Sequence, residues 1–235
     1  MKGFIAQTVD DSFRLEIGEE GHPISEEVAD RIDSLWAQEL QRLGDDLYDG
    51  LLFSASHVDD SGFIGHFVPY RYFVAQLLDP TLWPYLRVNA VAVTGITRLA
   101  DDGSILIGQR ALTVTQHPGF YELAPSGGID MTFASHGTID YRQQLLQELE
   151  EETKITASSV KTLTPNVLVY EEERHIWELC LDVIVAPCAK EKTYPFITEY
   201  QSLQWVSPKD LHSLVSDDRD DIVPLTRFLL NRKTY

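Results

Sequence analysis

Positive charge is what this chain has least of. Its 235 residues carry 19 Lys and Arg against 37 Asp and Glu, a formal net charge of -18. That imbalance repels nucleic-acid backbones and anionic membranes, so neither is expected as a partner. An anionic small molecule would need the sign reversed locally, which bound divalent cations supply. Cysteine is scarce as well. Cys180 and Cys188 lie in or beside an apolar strand-like run and are read as reduced, partly buried thiols. No apolar run approaches membrane-spanning length, and the opening MKGFIAQTVDDSF lacks the apolar stretch of a secretory signal. A cytoplasmic protein is expected. There is no low-complexity tract, no internal repeat, no G-x-S-x-G nucleophile motif and no P-loop.

What remains is an ordinary globular composition, 43% hydrophobic and 24% charged, enough for one large or two modest domains. Residues 1–85 read as a small α+β unit. KGFIAQTV and FRLEIG are short strands around an Asp-Asp turn. Ser25 then caps a helix with Val28, Ile32, Leu35, Trp36 and Leu43 on one stripe and Gly44 at its end. GLLFSASHV and GFIGHFV flank DDSG as a hairpin, and YRYFVAQLL starts a helix stopped by Pro80. Pro80 and Pro84 mark the expected boundary.

Residues 86–235 read as a second unit. VNAVAVTGIT suits a buried strand, SILIGQRA is expected to pair with it, and GFYELAPSGGI supplies a third strand. A helix is expected from about Thr138, with Asp140 in its first turn. TPNVLVYEE, HIWELCLDVIVAP and SLQWV are further strands. SPKDLHSLV reads as a helix with Ser at its cap and Pro in its first turn, and IVPLTRFLLN as a closing helix. Strands on both sides of one acidic helix imply a mixed sheet with helices on its faces, an α-β-α sandwich.

That acidic helix carries QELEEETKI. At about 100° per residue, Glu148, Glu151 and Glu152 share one sector beside Leu145, Leu146 and Leu149, while Glu150 points to solvent. Crowded carboxylates raise one another's pKa unless a cation compensates them. Hard oxygen donors of this kind suit Mg²⁺ or Mn²⁺, with substrate phosphates completing the shell. A plain solvated acidic face is the competing interpretation.

At these residues the chain resembles the Nudix hydrolase family, whose signature is G-x5-E-x7-R-E-U-x-E-E-x-G-U, with U a bulky apolar residue. Glu148, Leu149, Glu151, Glu152 and Ile155 stand where the signature has E, U, E, E and U, and Gly128 in PSGG matches its first glycine. There are departures. Gln147 replaces the arginine, Lys154 replaces the glycine, and the stretch from Gly128 to Gln147 is five residues longer and contains no Glu. The resemblance covers residues 88–230. LYDGLLFSAS followed by PYRYFVAQLLDP is similar to the N-terminal extension of the Nudix subgroup that cleaves UDP-glucose and UDP-galactose.

The resemblance implies a Nudix fold behind a small α+β domain, and hydrolysis of the diphosphate bridge of a nucleoside diphosphate linked to another group. It places Mg²⁺ or Mn²⁺ on Glu148, Glu151 and Glu152. Glu152 or Glu199 is then the candidate catalytic carboxylate, with a member of Glu171–Glu173 as a further candidate. Arg110, Gly127, Gly128 and Glu178 are the candidate substrate-binding residues. Arg110 would pair with a phosphate, although a surface ion pair explains it equally well. A UDP-sugar is the expected substrate, with ADP-ribose or another dinucleotide next, and a nucleotide-binding module without turnover as the non-enzymatic alternative. A monomer or homodimer is expected.

Overall fold

The computed structural model describes residues 3–19, 21, 23–44, 47–193, 199–215 and 219–232. Strands β1 (Phe4–Thr8) and β2 (Arg14–Ile17) precede helix α1 (Glu26–Leu43). The Ser25 hydroxyl accepts a hydrogen bond from Val28 N, and Gly44 ends the helix with φ 72. Val28, Ile32 and Leu35 are the buried stripe, packed against Ala75 and Leu82. β3 (Leu51–Asp59) and β4 (Gly62–Pro69) form the expected hairpin, its turn held by Asp59 Oδ1 accepting from Ser61 N at 2.8 Å. α2 (Tyr70–Leu78) and the short α3 (Trp83–Leu86) lead into the central strand β5 (Ala90–Leu99).

Next come β6 (Ile105–Arg110), β7 (Tyr121–Leu123), β8 (Ser126–Gly128), β9 (Ala134–Ser135), β10 (Thr138–Ile139) and α4 (Tyr141–Thr153). The chain then runs through β11 (Val160–Glu171), β12 (Ile176–Val185), α5 (Ala189–Lys192), β13 (Tyr200–Val206), α6 (Leu211–Leu214) and α7 (Pro224–Asn231). β5 pairs parallel with β12 and antiparallel with β3 and β8, so the sheet is mixed. Strand alternation sorts its side chains to two faces. Leu168, Leu179, Leu181 and Val183 join Leu145 and Leu149 of α4 on one face. Val167, Val169 and Cys180 join Leu225 and Leu229 of α7 on the other. The α-β-α sandwich expected from the sequence is the architecture present.

Four local expectations are corrected. The GFYELAPSGGI strand breaks at the cis Ala124-Pro125 bond, since proline has no N–H for the ladder, and its halves pair with different strands, β7 with β6 and β8 with β5. β8 occupies β5 at Ala92–Thr94, so β6 meets β5 only at Arg98↔Ile105 and pairs mainly with β13 and β7. Thr138 lies in β10, not in a helix. Asp140 caps α4 from outside, accepting from Arg142 N and Gln143 N. Ser207 and Pro208 fall in a turn, and α6 begins only at Leu211.

The residues that lengthen the stretch before α4 fold as the β9–β10 hairpin, which pairs with β2. β1 pairs with β11, and β3 pairs with β5. Strands from both sides of the expected 85/86 boundary therefore join in one sheet among the described residues. Among the described residues, no helix is long and apolar enough to cross a membrane.

Candidate active site

The site forms where β8 passes beneath α4. Ser126 N donates to Glu152 Oε2 at 3.2 Å, which ties the strand to the helix through a carboxylate that is only 4% exposed. One turn earlier, Glu148 lies against Gly127. A Cβ on Gly127 would come within 2.4 Å of the Glu148 carboxyl, so a side chain here would displace that carboxyl. Gln144 Nε2 donates to Glu148 Oε1 at 2.8 Å, while the buried Gln144 Oε1 has no partner. Leu145 and Leu149 anchor the helix in the core, so the direction of the two carboxylates is set by packing.

Glu148, Glu152 and Glu199 line one cavity of about 560 Å³, together with Arg110, Gly127 and Gly128. A second cavity of about 190 Å³ adjoins it, sharing Arg110, Ser126, Gly127 and Gly128 and adding Glu178, Glu122 and Thr94. Of the candidates read from the sequence, Glu171 also lines this double cleft, whereas Glu151, Glu172 and Glu173 do not. Glu151 is exposed, accepts from Gln147 Nε2 at 2.6 Å and lines neither cavity. The arginine position of the signature is thus occupied by a glutamine that bonds to a neighbouring carboxylate. Lys154, in the glycine position, ends α4 in the left-handed region with φ 64, a conformation that costs about 1 kcal/mol relative to glycine.

Among the described residues, Glu148, Glu152 and Glu178 form no ion pair with a Lys or Arg. Burial pushes Glu148 up to about 7, against the Gln144 hydrogen bond and with help from the charges of Glu151, Asp130 and Glu199. Burial, then the neighbouring Glu148, raises Glu152 well above the ordinary range. Burial also takes Glu178 up to about 7, opposed by the hydrogen bond from Thr94 Oγ1 at 2.8 Å. Among the described residues, no three His, Cys, Asp or Glu groups converge to hold one ion directly. Glu148 and Glu152 supply two hard oxygen donors one helical turn apart, which fits Mg²⁺ or Mn²⁺. Mg²⁺ commonly takes only one or two carboxylates and keeps several waters.

Arg110 forms an ion pair, but not on the surface. Its Nη1 pairs with Glu122 Oε1, and its Nε donates to Gln116 O at 2.9 Å. Burial works against the Arg110 charge, yet Glu122 and Tyr200 hold its pKa above the usual arginine value. The sequence reading passed over Glu122, Tyr200 and Thr94. The available signal was an acid in the strand YEL, whose neighbour Leu123 is fully buried.

No family model matches the chain, and no curated protein matches it either. A solved structure of a Deinococcus radiodurans protein superposes with a TM-score of 0.54 at 12% identity, covering 79% of this chain and 99% of that one. The two proteins share a fold over that length. More distant matches include an Ap4A hydrolase of C. elegans, solved as a binary complex, with 15% identity, 60% and 93% coverage and a TM-score of 0.42. Another is the NUDIX domain of Shewanella oneidensis NrtR complexed with ADP ribose, with 17% identity, 54% and 77% coverage and a TM-score of 0.40. At such identities a structural likeness speaks for fold alone, and the chemistry has to be argued from the cleft itself.

Proposed function

We propose that the protein is a divalent-metal-dependent pyrophosphohydrolase acting on a nucleoside diphosphate linked to another group, with a UDP-sugar as the preferred substrate, giving UMP and sugar 1-phosphate. The observation that carries this reading is the pair Glu148 and Glu152, buried beside a large cleft and, among the described residues, without an ion pair to Lys or Arg. When bound there, Mg²⁺ or Mn²⁺ supplies neutralisation of the diphosphate charge and acidifies water.

The residues divide the remaining work. Glu148 and Glu152 would hold the cation, and Glu151 lies outside the cavity they line. Gly127 and Gly128 let the backbone of β8 approach the diphosphate, because no Cβ stands in the way. Arg110 presents its guanidinium to an anionic oxygen. Glu199, at the open side of the cavity, accepts a proton from the attacking water, as a general base within reach of the reacting oxygen must. Glu152 is the second candidate for that proton. Glu178, in the smaller cavity beside Thr94, accepts hydrogen bonds from the non-phosphate part of the substrate. The separation into a larger, carboxylate-rich cavity and a smaller neighbour suits a molecule with a diphosphate and a second polar group.

The test is a panel of UDP-sugars, ADP-ribose and nucleoside triphosphates incubated with Mg²⁺ or Mn²⁺, with phosphate release read after phosphatase treatment. Release from UDP-sugars that disappears in EDTA is the expected result, and a preference for ADP-ribose would correct the substrate alone. Binding by calorimetry with no release from any compound would overturn the hydrolase reading and leave a nucleotide-binding module.

A further inference from the structure

A diphosphate entering this cleft meets Glu148, Glu152 and Glu199, and among the described residues lining the larger cavity Arg110 is the only Lys or Arg, Arg174 lining the smaller one. The position of that single cation then decides how the anion sits. The strands around it are arranged to set that position. Tyr200 on β13 stands opposite Arg110 on β6, and Glu122 on β7 stands opposite Gly108 on the same β6. The Tyr200 ring lies over Gly108, where an added Cβ would meet ring carbons at 2.5 and 2.6 Å. From there its hydroxyl donates to Glu122 Oε1 at 3.1 Å, and the same oxygen pairs with Arg110 Nη1. Among the described residues the Arg110 side chain makes one other hydrogen bond, to Gln116 O. Tyr200 is 1% exposed and lines neither cavity, so it cannot reach a ligand directly, while Glu122, 6% exposed at the wall of the smaller cavity, has its Oε1 engaged by Tyr200 and Arg110.

We propose that Glu122 and Tyr200 are positioning residues that aim the Arg110 guanidinium across the cleft at the anionic part of the substrate and keep it from swinging onto Glu148, Glu152 or Glu199. The inference rests on the function proposed above. A fully buried carboxylate bound to one guanidinium edge fixes that edge and leaves the rest for a phosphate oxygen, which a free arginine in so acidic a cleft could not do. Loss of the clamp would let Arg110 neutralise the carboxylates that the cation needs.

The experiment compares four proteins: wild type, Tyr200→Phe, Arg110→Ala and the double variant. Kinetics and calorimetric binding use UDP-glucose and ADP-ribose with Mg²⁺, and thermal melts confirm folding. Arg110→Ala should lower kcat/KM about a hundredfold and Tyr200→Phe about tenfold, in keeping with charge-assisted hydrogen bonds. Because Tyr200 acts through Arg110, adding Tyr200→Phe to Arg110→Ala should change kcat/KM less than about twofold. An undiminished loss in both backgrounds, or no loss in the single variant, overturns the proposal. Should Tyr200→Phe melt early, Glu122→Gln in the same two backgrounds makes the same comparison. If the wild type binds a probe but releases no product, the hydrolase reading fails, and the same cycle on Kd still decides the clamp. Binding of neither probe overturns the clamp as well.

Discussion

Two helices of this protein each bury a glutamate, and their treatment differs. On α1, Glu39 is 6% exposed and accepts from Arg42 Nε at 2.5 Å, one turn along the same helix. On α4, Glu152 is 4% exposed, receives a single backbone N–H from Ser126, and has Glu148 as its nearest charged influence. Burying a carboxylate is costly unless it is paired and hydrogen-bonded. The arginine on α1 meets that cost locally and makes Glu39 a structural group. Among the described residues no Lys or Arg pairs with Glu152 on α4, so burial and the neighbouring Glu148 favour its protonated form, and a bound cation would favour the ionised one. Of these two helical glutamates, the one without a cationic partner is the one that lines the cleft.

The sharpest way to break this comparison is to neutralise the two groups in turn. Glu152→Gln should lower kcat by about 10²- to 10³-fold, as expected for loss of a group that holds the cation or moves the proton. The same substitution should leave the thermal midpoint of the metal-free protein unchanged or raised, since an uncompensated buried charge is removed. Turnover within a fewfold of wild type would remove α4 from the site.

The second test uses pH. Glu148 has its pKa raised from 4.5 to about 7 by burial, so the folded protein binds more protons than the unfolded chain between those values. Stability contributed by this group is full below about pH 4.5 and is lost as pH rises through about 7. The loss amounts to about 3 kcal/mol at most. Glu178, also raised to about 7, contributes in the same direction. Divalent cations should therefore raise the melting temperature more at pH 8 than at pH 5.5. Glu178→Gln should reduce the pH dependence of the metal-free protein while leaving the cation effect in place. An equal Mg²⁺ or Mn²⁺ shift at both pH values would contradict the assignment.

How much of this was legible beforehand depends on range. The β-branched run of β5, the Ser25 cap and the apolar stripe of α1 are local signals, and the structure follows them. The crowding of Glu148, Glu151 and Glu152 was visible too, but periodicity places all three in one sector. Only packing separates Glu152, sealed under β8, from Glu151, which faces water. The Arg110–Glu122–Tyr200 cluster was not readable, because three residues spread over 90 positions meet only through the pairing of β6 with β7 and β13. Nor was the β9–β10 hairpin, since two-residue strands carry almost no periodic pattern.

A smaller effect is expected from the backbone that faces Glu148. Gly127→Ala places a methyl carbon where the Glu148 carboxyl now lies, 2.4 Å away. The side chain must rotate out of the cleft, which should weaken Mg²⁺ activation about tenfold, as loss of a positioning contact typically does. The fold should persist, because Gly127 does not sit in the left-handed region that only glycine adopts easily. An unchanged Mg²⁺ activation curve would separate Glu148 from the cation.

The least effect should come from the other helix. Glu39→Gln removes the charge from its pair with Arg42, whose side chain is 50% exposed and can turn to water. Pairs with one solvated partner contribute little, so the loss should stay below about 1 kcal/mol, read as a small drop in the urea midpoint. Turnover and Mg²⁺ activation should not move, because Glu39 lies outside both cavities that hold the candidate site. A fall in activity comparable to that of Glu152→Gln would mean that burial of a glutamate, paired or not, is what matters in this protein, and the contrast between the helices would lose its meaning.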